Sequence, residues 1–144
     1  MCRYNYHKKT LSKYLKDICP ETDILNKLKI MYRPYNCPFN EIMNLIPDNS
    51  SVFDVGCGNG QFLFLVEKFC NVLKLMGIEI SGKLVDVCNQ QILDQGITNM
   101  RVVKYNGKNF PEELSAYNVI TMIDVFHHVP KSMQLQLLKI FLLR

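Results

Sequence analysis

The sequence predicts an α/β fold in which a doubly wound parallel sheet follows an N-terminal helical segment. Two observations support this prediction. From residue 52 onward, short apolar runs typical of strands alternate with stretches of helical periodicity, as they do in parallel sheets. The chain has 144 residues, of which 48% are hydrophobic and 21% charged, a composition that fits one globular domain with one core. We place the helical segment at residues 1–46 and the sheet domain at residues 47–144.

Three helices are predicted before the sheet. Apolar residues follow helical spacing over 11–18, where lysines lie on the opposite side, and again over 24–31. We expect the second helix to end before Pro34, because this proline and Pro38 disfavour helix at their own positions and just before them. A short third helix is predicted over 41–46, and turn residues then lead into the first strand.

Four strands and three helices are predicted in the sheet domain. In chain order these are strand 52–56, helix 61–71, strand 73–80, helix 83–95, strand 99–105, strand 117–124 and helix 132–144. Right-handed crossovers place the helices on both faces of such a sheet, and ligands bind at the carboxyl ends of its strands. Candidate site residues therefore follow the predicted strand ends, which are Val55, Ile80, Tyr105 and Asp124.

Charge and cysteine content restrict the partners and the compartment. The chain has a net charge of +4, and its positive excess lies in the N-terminal part. Residues 1–40 contain eight Lys and Arg and three Asp and Glu, whereas residues 41–144 contain nine Lys and Arg and ten Asp and Glu. These cations are dispersed among apolar residues, which favours a solvated helix face over a binding patch. The six cysteines lie 13 to 20 residues apart, so no CxxC pair exists and we predict no metal site. With no membrane span or signal peptide in the pattern, we expect the cytoplasm.

A glycine-rich loop follows the first strand. Gly56, Gly58 and Gly60 alternate with other residues and lead directly into a helix, and glycine lets the backbone turn sharply and a ligand approach it. The spacing is GxGxG, whereas dinucleotide-binding proteins have GxGxxG. Asp54 precedes the loop, and its carboxylate repels a diphosphate but attracts a cofactor with a sulfonium and an ammonium group. Cys57 is interpreted as a small side chain packed beneath the loop.

Glu79 ends the second strand, at about the distance from the glycine loop where an acid accepts hydrogen bonds from both ribose hydroxyls of a cofactor. The segments 52–60, 77–81 and 122–130 resemble the first, second and fourth signature regions of class I S-adenosylmethionine-dependent methyltransferases, in that family's spacing. The resemblance covers about residues 30–144. It implies a Rossmann-like fold, S-adenosylmethionine as the cofactor and methyl transfer as the reaction.

The resemblance also implies a role for each part of the site. Asp54 and the three glycines surround the methionine moiety of the cofactor, and Glu79 holds its ribose. The predicted cofactor-binding residues are Asp54, Gly56, Cys57, Gly58, Gly60, Glu79, Ile80, Asn106, Asp124 and Val125. Similar enzymes cover the cofactor with an N-terminal segment, and we expect a lid loop at 32–39, with Tyr32 or Arg33 over the cleft.

Two elements of the predicted site have alternative interpretations. Asn106 stands where similar proteins place an acid near the adenine amino group, and its amide oxygen either accepts that hydrogen bond or forms a simple turn before Gly107. His127 and His128 are the candidate catalytic residues, which the topology places beside the transferred methyl group. Methyl transfer from a sulfonium mainly needs alignment, so these histidines act either as a general base or as a wall of the pocket.

The resemblance breaks near the C-terminus, where similar proteins continue the sheet. We therefore expect a domain truncated after its fourth strand, with an open edge that a partner chain can complete. The predicted function is methyl transfer to a small-molecule or lipid-like acceptor, without binding to nucleic acid. The alternatives are a non-catalytic S-adenosylmethionine-binding fragment and an RNA methyltransferase, which the basic N-terminus permits.

Overall fold

The computed structural model describes residues 5–18 and 24–142, so the last two residues of the predicted final helix lie outside the described part. Its elements are, in chain order, α1 (Lys8–Ile18), α2 (Ile24–Asn36), α3 (Phe39–Asn44), β1 (Ser50–Val55), α4 (Gln61–Phe69), β2 (Val72–Glu79), α5 (Gly82–Asp94), β3 (Met100–Lys104), β4 (Val119–Thr121) and α6 (Lys131–Leu142). Short 3₁₀ helices span Glu112–Ala116 before β4 and Phe126–His128 after it. The predicted alternation of strands and helices is confirmed.

All four strands are parallel and lie in the order β3-β2-β1-β4. The chain runs outward from β1 to β3 and then crosses back to place β4 on the other side of β1, so the predicted doubly wound sheet is confirmed. The strand order reverses beside β1, and ligands bind at such switch points. In the register of the sheet, Asp54 of β1 lies between Gly77 of β2 and Thr121 of β4.

Each face of the sheet carries its own apolar cluster, because successive side chains of a strand point to opposite faces. On one face, Val52 and Leu75 pack with buried residues of α1 to α5. On the other face, Phe53 and Met76 pack with the segment between β3 and β4 and with Phe141 of α6. Both faces of the sheet therefore carry packed side chains.

The helices α1 and α2 form an antiparallel pair on the first face. Ser12 Oγ donates to the Met31 carbonyl at 2.7 Å, and Lys8 Nζ donates to the Tyr35 carbonyl at 3.4 Å. The later residue of α1 is thus bonded to the earlier residue of α2, as expected for antiparallel helices. Leu15 is fully buried and belongs to the same cluster as the residues of the sheet. The N-terminal helices therefore share one core with the sheet.

The predicted end of α2 before Pro34 is wrong, since the helix continues through this proline to Asn36. Proline removes a backbone donor and crowds the preceding turn, but here only the last turn is affected. The Cys37 amide closes that turn by donating to the Arg33 carbonyl at 2.8 Å. Ile30, Pro34 and Cys37 are all buried along one side of the helix, and this burial offsets the lost hydrogen bond.

The fourth strand is also shorter than predicted. The segment 117–124 forms a strand only at Val119–Thr121, so Asp124 does not end the strand. Among the described residues β4 pairs with β1 alone, and β1 ends at Val55 before the chain turns at the glycine loop. Asp124 has a left-handed φ of 57°, which a strand does not accommodate, and it lies in a bend beyond β4.

Candidate functional site

Two cavities meet at Gly56, beside the carboxyl ends of β1 and β2. The smaller cavity has a volume of about 70 Å³, and its lining includes Arg33, Asp54, Cys57, Gly58, Gln61 and Phe62. The larger cavity has about 360 Å³, and its lining includes Glu79, Ile80, Tyr105, Phe110, Val125 and His128. Most of the predicted cofactor-binding residues therefore come together around these two cavities.

The three glycines of the loop all have left-handed backbones, with φ of 70° at Gly56, 58° at Gly58 and 79° at Gly60. A Cβ at Gly58 would meet no atom within 4 Å, so this glycine faces open space. A Cβ at Gly56 would lie 2.4 Å from Val125 Cγ2, and one at Gly60 would lie 2.4 Å from Cys88 Sγ. Gly58 thus leaves room for a ligand, whereas the other two permit close packing.

Cys57 is buried beneath the glycine loop. Its Sγ would lie 2.5 Å from a Cβ on Gly77, so the thiol fills the space above this position of β2. Burial raises the pKa of the Cys57 thiol far above its usual range, and the nearby Asp54 carboxyl raises it further. Because the thiolate is the nucleophile, this environment agrees with the packing role expected of Cys57.

Glu79 ends β2, and its carboxylate holds the glycine loop in place. Oε2 accepts a hydrogen bond from the Gly58 backbone N–H at 2.9 Å, and Oε1 accepts one from the Ser81 backbone N–H at 2.9 Å. Each carboxylate oxygen has a second lone pair. Since Glu79 also lines the larger cavity, these lone pairs are available to hydroxyl groups of a ligand bound there.

Asp54 is the buried acid of the smaller cavity, with a residue exposure of 3%. Its Oδ1 accepts a hydrogen bond from Thr121 Oγ1 at 2.7 Å. Burial raises the pKa of Asp54 to about 7, although the Thr121 hydrogen bond and the positive charge of Arg33 act in the opposite direction. A ligand cation beside this carboxyl would favour its ionised form, so the cavity can bind an ammonium group.

Arg33 reaches the same cavity from α2. Its Nη2 lies 3.2 Å from Asp124 Oδ2, and the two side chains are 42% and 63% exposed. This ion pair joins α2 to the bend after β4. Both residues also line a groove of about 570 Å³, whose wall includes Leu25, Leu28 and Tyr32 of α2. Asp124, predicted to contact the cofactor, therefore lies in the groove beside α2.

The stretch 32–39 does not form the predicted loop, because most of it belongs to α2. A covering role for Tyr32 or Arg33 stays a prediction. Phe39 is 2% exposed and packs on Phe62 with ring centroids 5.5 Å apart, so it belongs to the core. Tyr32 and Tyr35 lie on the exposed side of α2, with ring centroids 6.2 Å apart. Of the described residues in this stretch, Arg33 and Phe39 line the smaller cavity, and Arg33 brings the charged side chain.

Asn106 has the geometry of a turn residue. Its Oδ1 accepts hydrogen bonds from the backbone N–H groups of Lys108 at 2.8 Å and Asn109 at 3.0 Å. Both lone pairs of the amide oxygen are thereby engaged, so the turn alternative is favoured over the adenine contact. Its neighbours Tyr105 and Gly107 line the larger cavity instead.

An aromatic wall closes the outer side of the larger cavity. The rings of Tyr105 and Phe110 stack with centroids 5.3 Å apart and an interplanar angle of 25°. Phe141 of α6 packs edge-on against Phe110 at 5.6 Å. Sequence reasoning missed Phe110, and also Leu137 of α6, which lines the same cavity. Neither residue belongs to a local motif, so no signal in the sequence marked them.

The two candidate catalytic histidines lie in the 3₁₀ helix after β4. Their ring centroids are 3.9 Å apart, and both residues are exposed. His128 lines the larger cavity, whereas His127 is not part of either lining in the described part of the chain. Of the predicted pair, the fold therefore brings His128 to the site.

Gln61, the first residue of α4, was also missed. Its side-chain Oε1 is buried and has no hydrogen-bond partner among the described residues, and the side chain lines the smaller cavity. A buried acceptor without a donor is unfavourable, and a donor on a ligand in the adjoining cavity would relieve this cost. Together with the buried Asp54 and the open space at Gly58, this oxygen suits the amino-acid part of S-adenosylmethionine.

The described residues contain neither a metal-binding group nor a membrane-spanning helix. No three His, Cys, Asp or Glu side chains lie together there as a metal-binding group. Across residues 5–18 and 24–142, no helix has the length and apolarity that crossing a membrane would require. Among the described residues, Cys37, Cys57 and Cys88 are free thiols.

Known proteins match parts of the chain. The tRNA (carboxymethyluridine(34)-5-O)-methyltransferase alkbh8 of Xenopus tropicalis is 30% identical over 83 residues, which are 58% of this chain and 12% of that protein. A protein-lysine N-methyltransferase of Saccharolobus islandicus (strain REY15A) is 30% identical over 77 residues, which are 54% of this chain and 47% of that protein. The chain thus spans less than half the length of either relative.

A solved structure and a family profile both match the chain. A crystal structure of a SAM-dependent methyltransferase from Aquifex aeolicus matches with a TM-score of 0.64 and 18% identity, over 94% of this chain and 66% of that one. At this identity the likeness supports the fold alone. The sequence profile of the methyltransferase domain matches residues 52–142, more than half of the chain. The chain therefore belongs to the methyltransferase domain family, the class I methyltransferases whose cofactor is S-adenosylmethionine.

Proposed function

We propose that this chain binds S-adenosylmethionine across the two cavities and transfers its methyl group to an acceptor that enters beside α2. One observation carries this proposal. The carboxyl groups of Asp54 and Glu79 flank a left-handed glycine loop in which Gly58 faces open space. Two acids beside the loop favour a cationic ligand and disfavour the diphosphate that NAD would bring to the same position.

Each cavity would hold a different part of the cofactor. In the smaller one, Asp54 and the unpartnered amide oxygen of Gln61 would accept hydrogen bonds from the α-ammonium group. In the larger one, Glu79 would accept from the ribose hydroxyls, and the rings of Tyr105 and Phe110 would pack against the adenine. When bound, S-adenosylmethionine supplies a methyl group on a sulfonium, from which it is readily displaced.

The side chains around the meeting point of the cavities would mainly provide alignment. Val125 packs against Gly56 there and forms a fixed wall. For an acceptor that must lose a proton, His127 or His128 would act as the general base, and His128 is the better candidate because it lines the larger cavity. His128→Ala would then lower the rate of transfer more than His127→Ala.

The acceptor is proposed to be a small-molecule or lipid-like compound. Leu25, Leu28 and Tyr32 are 66%, 43% and 58% exposed, and all three line the groove of about 570 Å³ beside α2. Covering apolar surface of this kind stabilises a complex by roughly 25 cal/mol per Å². Arg33 lines both this groove and the smaller cavity, so an acceptor in the groove would lie next to the cofactor.

A different observation favours RNA as a second candidate acceptor. The helices α1 and α2 contain seven Lys and Arg residues and a single acid, Asp17. Tyr32 and Tyr35 are exposed among these cations, and aromatic rings in a basic surface can stack on unpaired bases. The relative from Xenopus tropicalis is itself named as a tRNA methyltransferase. Binding to RNA would weaken steeply with salt, whereas binding to an apolar small molecule would not.

Calorimetric titration with S-adenosylhomocysteine and with NAD tests the proposed cofactor. We expect S-adenosylhomocysteine to bind at least roughly tenfold more tightly than NAD. Asp54→Ala removes the buried acid and should weaken S-adenosylhomocysteine by about 10- to 100-fold. The matched control is Asp86→Ala, at an exposed acid of α5, which should leave the affinity unchanged. Tighter binding of NAD, or normal affinity in Asp54→Ala, would contradict the proposal.

Transfer of a labelled methyl group then separates the acceptor classes. Lipid extract and total RNA are offered in parallel to the wild-type chain with labelled S-adenosylmethionine. Label in the lipid or small-molecule fraction supports the first candidate, and label in RNA supports the second. Binding of S-adenosylhomocysteine without transfer to either favours the alternative of a non-catalytic S-adenosylmethionine-binding chain.

A further inference from the structure

The amino-acid part of S-adenosylmethionine is a zwitterion, and the smaller cavity offers one group of each sign. Among the described residues of its lining, the charged side chains are those of Asp54 and Arg33. Asp54 suits the α-ammonium group. The α-carboxylate also needs a partner, because a charge moved from water into a cavity without one is strongly disfavoured.

We propose that Arg33 binds the α-carboxylate of the cofactor, an inference that rests on the proposed function. A guanidinium presents five N–H donors in a planar fork, which matches the two oxygens of a carboxylate. Arg33 would therefore be the cofactor-binding residue of the N-terminal helices, 21 positions before Asp54 in the sequence. It would recognise the part of the cofactor that the acids of the site cannot bind.

The position of Arg33 suits this role. Its positive charge is close enough to Asp54 to lower the pKa of that carboxyl, so the guanidinium and the buried acid flank the same space. Its present partner, Asp124, is 63% exposed. Breaking an ion pair between partly exposed groups costs little. Arg33 can therefore exchange Asp124 for the cofactor carboxylate, or bind both with different N–H groups.

The same contact would affect the groove beside α2. Arg33 belongs to this helix, and so do Leu28 and Tyr32 of the groove wall. A cofactor carboxylate held by Arg33 would tie α2 to the smaller cavity. The wall of the acceptor groove would then be fixed more firmly when the cofactor is present than when it is absent.

The experiment compares two ligands that differ in the amino-acid part. S-adenosylhomocysteine carries the α-carboxylate, whereas 5′-methylthioadenosine has the same nucleoside and sulfur without the amino acid. Both are titrated calorimetrically into the wild-type chain, Arg33→Gln, Arg33→Lys and Arg101→Gln. Arg101 is the matched control, because its Nη2 forms a similar ion pair with Glu113 at 3.1 Å, with side chains 52% and 54% exposed. Melting curves verify that every variant is folded.

We expect Arg33→Gln to weaken S-adenosylhomocysteine by about 10- to 100-fold while 5′-methylthioadenosine changes by less than about twofold. Arg33→Lys should recover part of the affinity, and Arg101→Gln should resemble the wild type. Equal losses for both ligands, or an unchanged affinity for S-adenosylhomocysteine, would overturn the inference and leave the carboxylate to the backbone of the glycine loop. Failure of the wild-type chain to bind S-adenosylhomocysteine at all would overturn the proposed function together with it.

Discussion

The smaller and the larger cavity meet at one glycine, yet their linings differ in kind. The smaller cavity, of about 70 Å³, is bounded by loop backbone, the buried Asp54 and the guanidinium of Arg33. The larger cavity, of about 360 Å³, has a carboxylate from Glu79 and an otherwise largely apolar and aromatic wall. Charge therefore dominates binding in the first cavity, and apolar contact dominates it in the second.

This difference determines how each cavity responds to change. A buried ionisable group shifts its pKa when its surroundings change, so the smaller cavity should be sensitive to pH and to single hydrogen bonds. Apolar contact scales with the area covered, so the larger cavity should respond gradually to changes in its wall. S-adenosylhomocysteine probes both cavities, and 5′-methylthioadenosine probes mainly the larger one.

The largest effect is expected for Gly58→Ala, which adds a methyl group to the smaller cavity. The new Cβ would meet no protein atom within 4 Å, so it would occupy the open space in which we propose that the ligand binds. We expect S-adenosylhomocysteine to bind about 10- to 100-fold more weakly, the effect of overfilling a packed space. Calorimetric titration measures this loss.

Gly96→Ala is the matched control for backbone strain. Its φ of 64° is close to the 58° of Gly58, and a Cβ there also meets nothing within 4 Å. Both variants should lose about 1–2 kcal/mol in the free energy of unfolding, because a left-handed backbone disfavours alanine. Only Gly58→Ala should lose affinity. Similar affinities in the two variants would mean that Gly58 does not face the ligand.

A smaller effect, of roughly tenfold, is expected from pH. Burial raises the pKa of Asp54 to about 7 in the absence of a ligand. An ammonium ligand favours the ionised carboxylate, so below this pH binding must release the proton of Asp54. The affinity for S-adenosylhomocysteine should therefore fall as the pH falls, by roughly tenfold between pH 8 and pH 6. Titrations in buffers of different ionisation enthalpy count the released proton.

The response to pH should disappear when the carboxyl is removed. Asp54→Asn keeps the shape of the side chain and a possible hydrogen bond to Thr121, but it cannot ionise. Its affinity should be lower than that of the wild type at pH 8 and nearly constant down to pH 6. The affinity for 5′-methylthioadenosine, which has no ammonium group, should not depend on pH in this range in either protein. A wild-type affinity that stays flat would assign the binding of the ammonium group to another residue.

The part of the smaller cavity around the glycine loop could be predicted because its residues are close in the sequence. Asp54, Gly56 and Gly58 belong to one strand, loop and helix, so the chain itself fixes their distances. The position of Glu79 near the glycine loop could be predicted as well, since the carboxyl ends of parallel strands lie at the same edge of a sheet. The alternation of strands and helices was predictable for the same reason, because periodicity is local.

The remainder depends on packing that no local pattern records. Phe110 and Leu137 reach the larger cavity from a loop and from α6, which only the folded chain brings together. Pro34 stays inside α2 because burial of this side of the helix outweighs the tendency of proline to end a helix. The strand predicted to include Asp124 ends at Thr121, opposite Asp54, and Asp124 itself has a left-handed φ that a strand does not accommodate.

A still smaller effect is expected for Phe110→Leu, which removes a ring from the wall of the larger cavity. Leucine keeps apolar volume against Phe141, so the fold should be retained. Loss of a stacked ring is worth about 0.5–1.5 kcal/mol, which corresponds to a weakening of roughly two- to tenfold. S-adenosylhomocysteine and 5′-methylthioadenosine should weaken by the same factor. A loss confined to S-adenosylhomocysteine would contradict the division of the ligand between the two cavities.

The smallest effect is expected for Thr121→Val, which changes a single hydrogen bond in the smaller cavity. Thr121 Oγ1 donates to Asp54 Oδ1 at 2.7 Å and so favours the ionised carboxylate. Without this donor the pKa of Asp54 should rise above about 7, and the affinity for S-adenosylhomocysteine at pH 7 should fall by roughly threefold. The loss should shrink at pH 9, where the carboxyl ionises in both proteins. Thr98→Val, at an exposed threonine that lines neither cavity, should change the affinity at neither pH. A loss that is equal at pH 7 and pH 9 would mean that Thr121 supports the shape of the cavity and not the charge of Asp54.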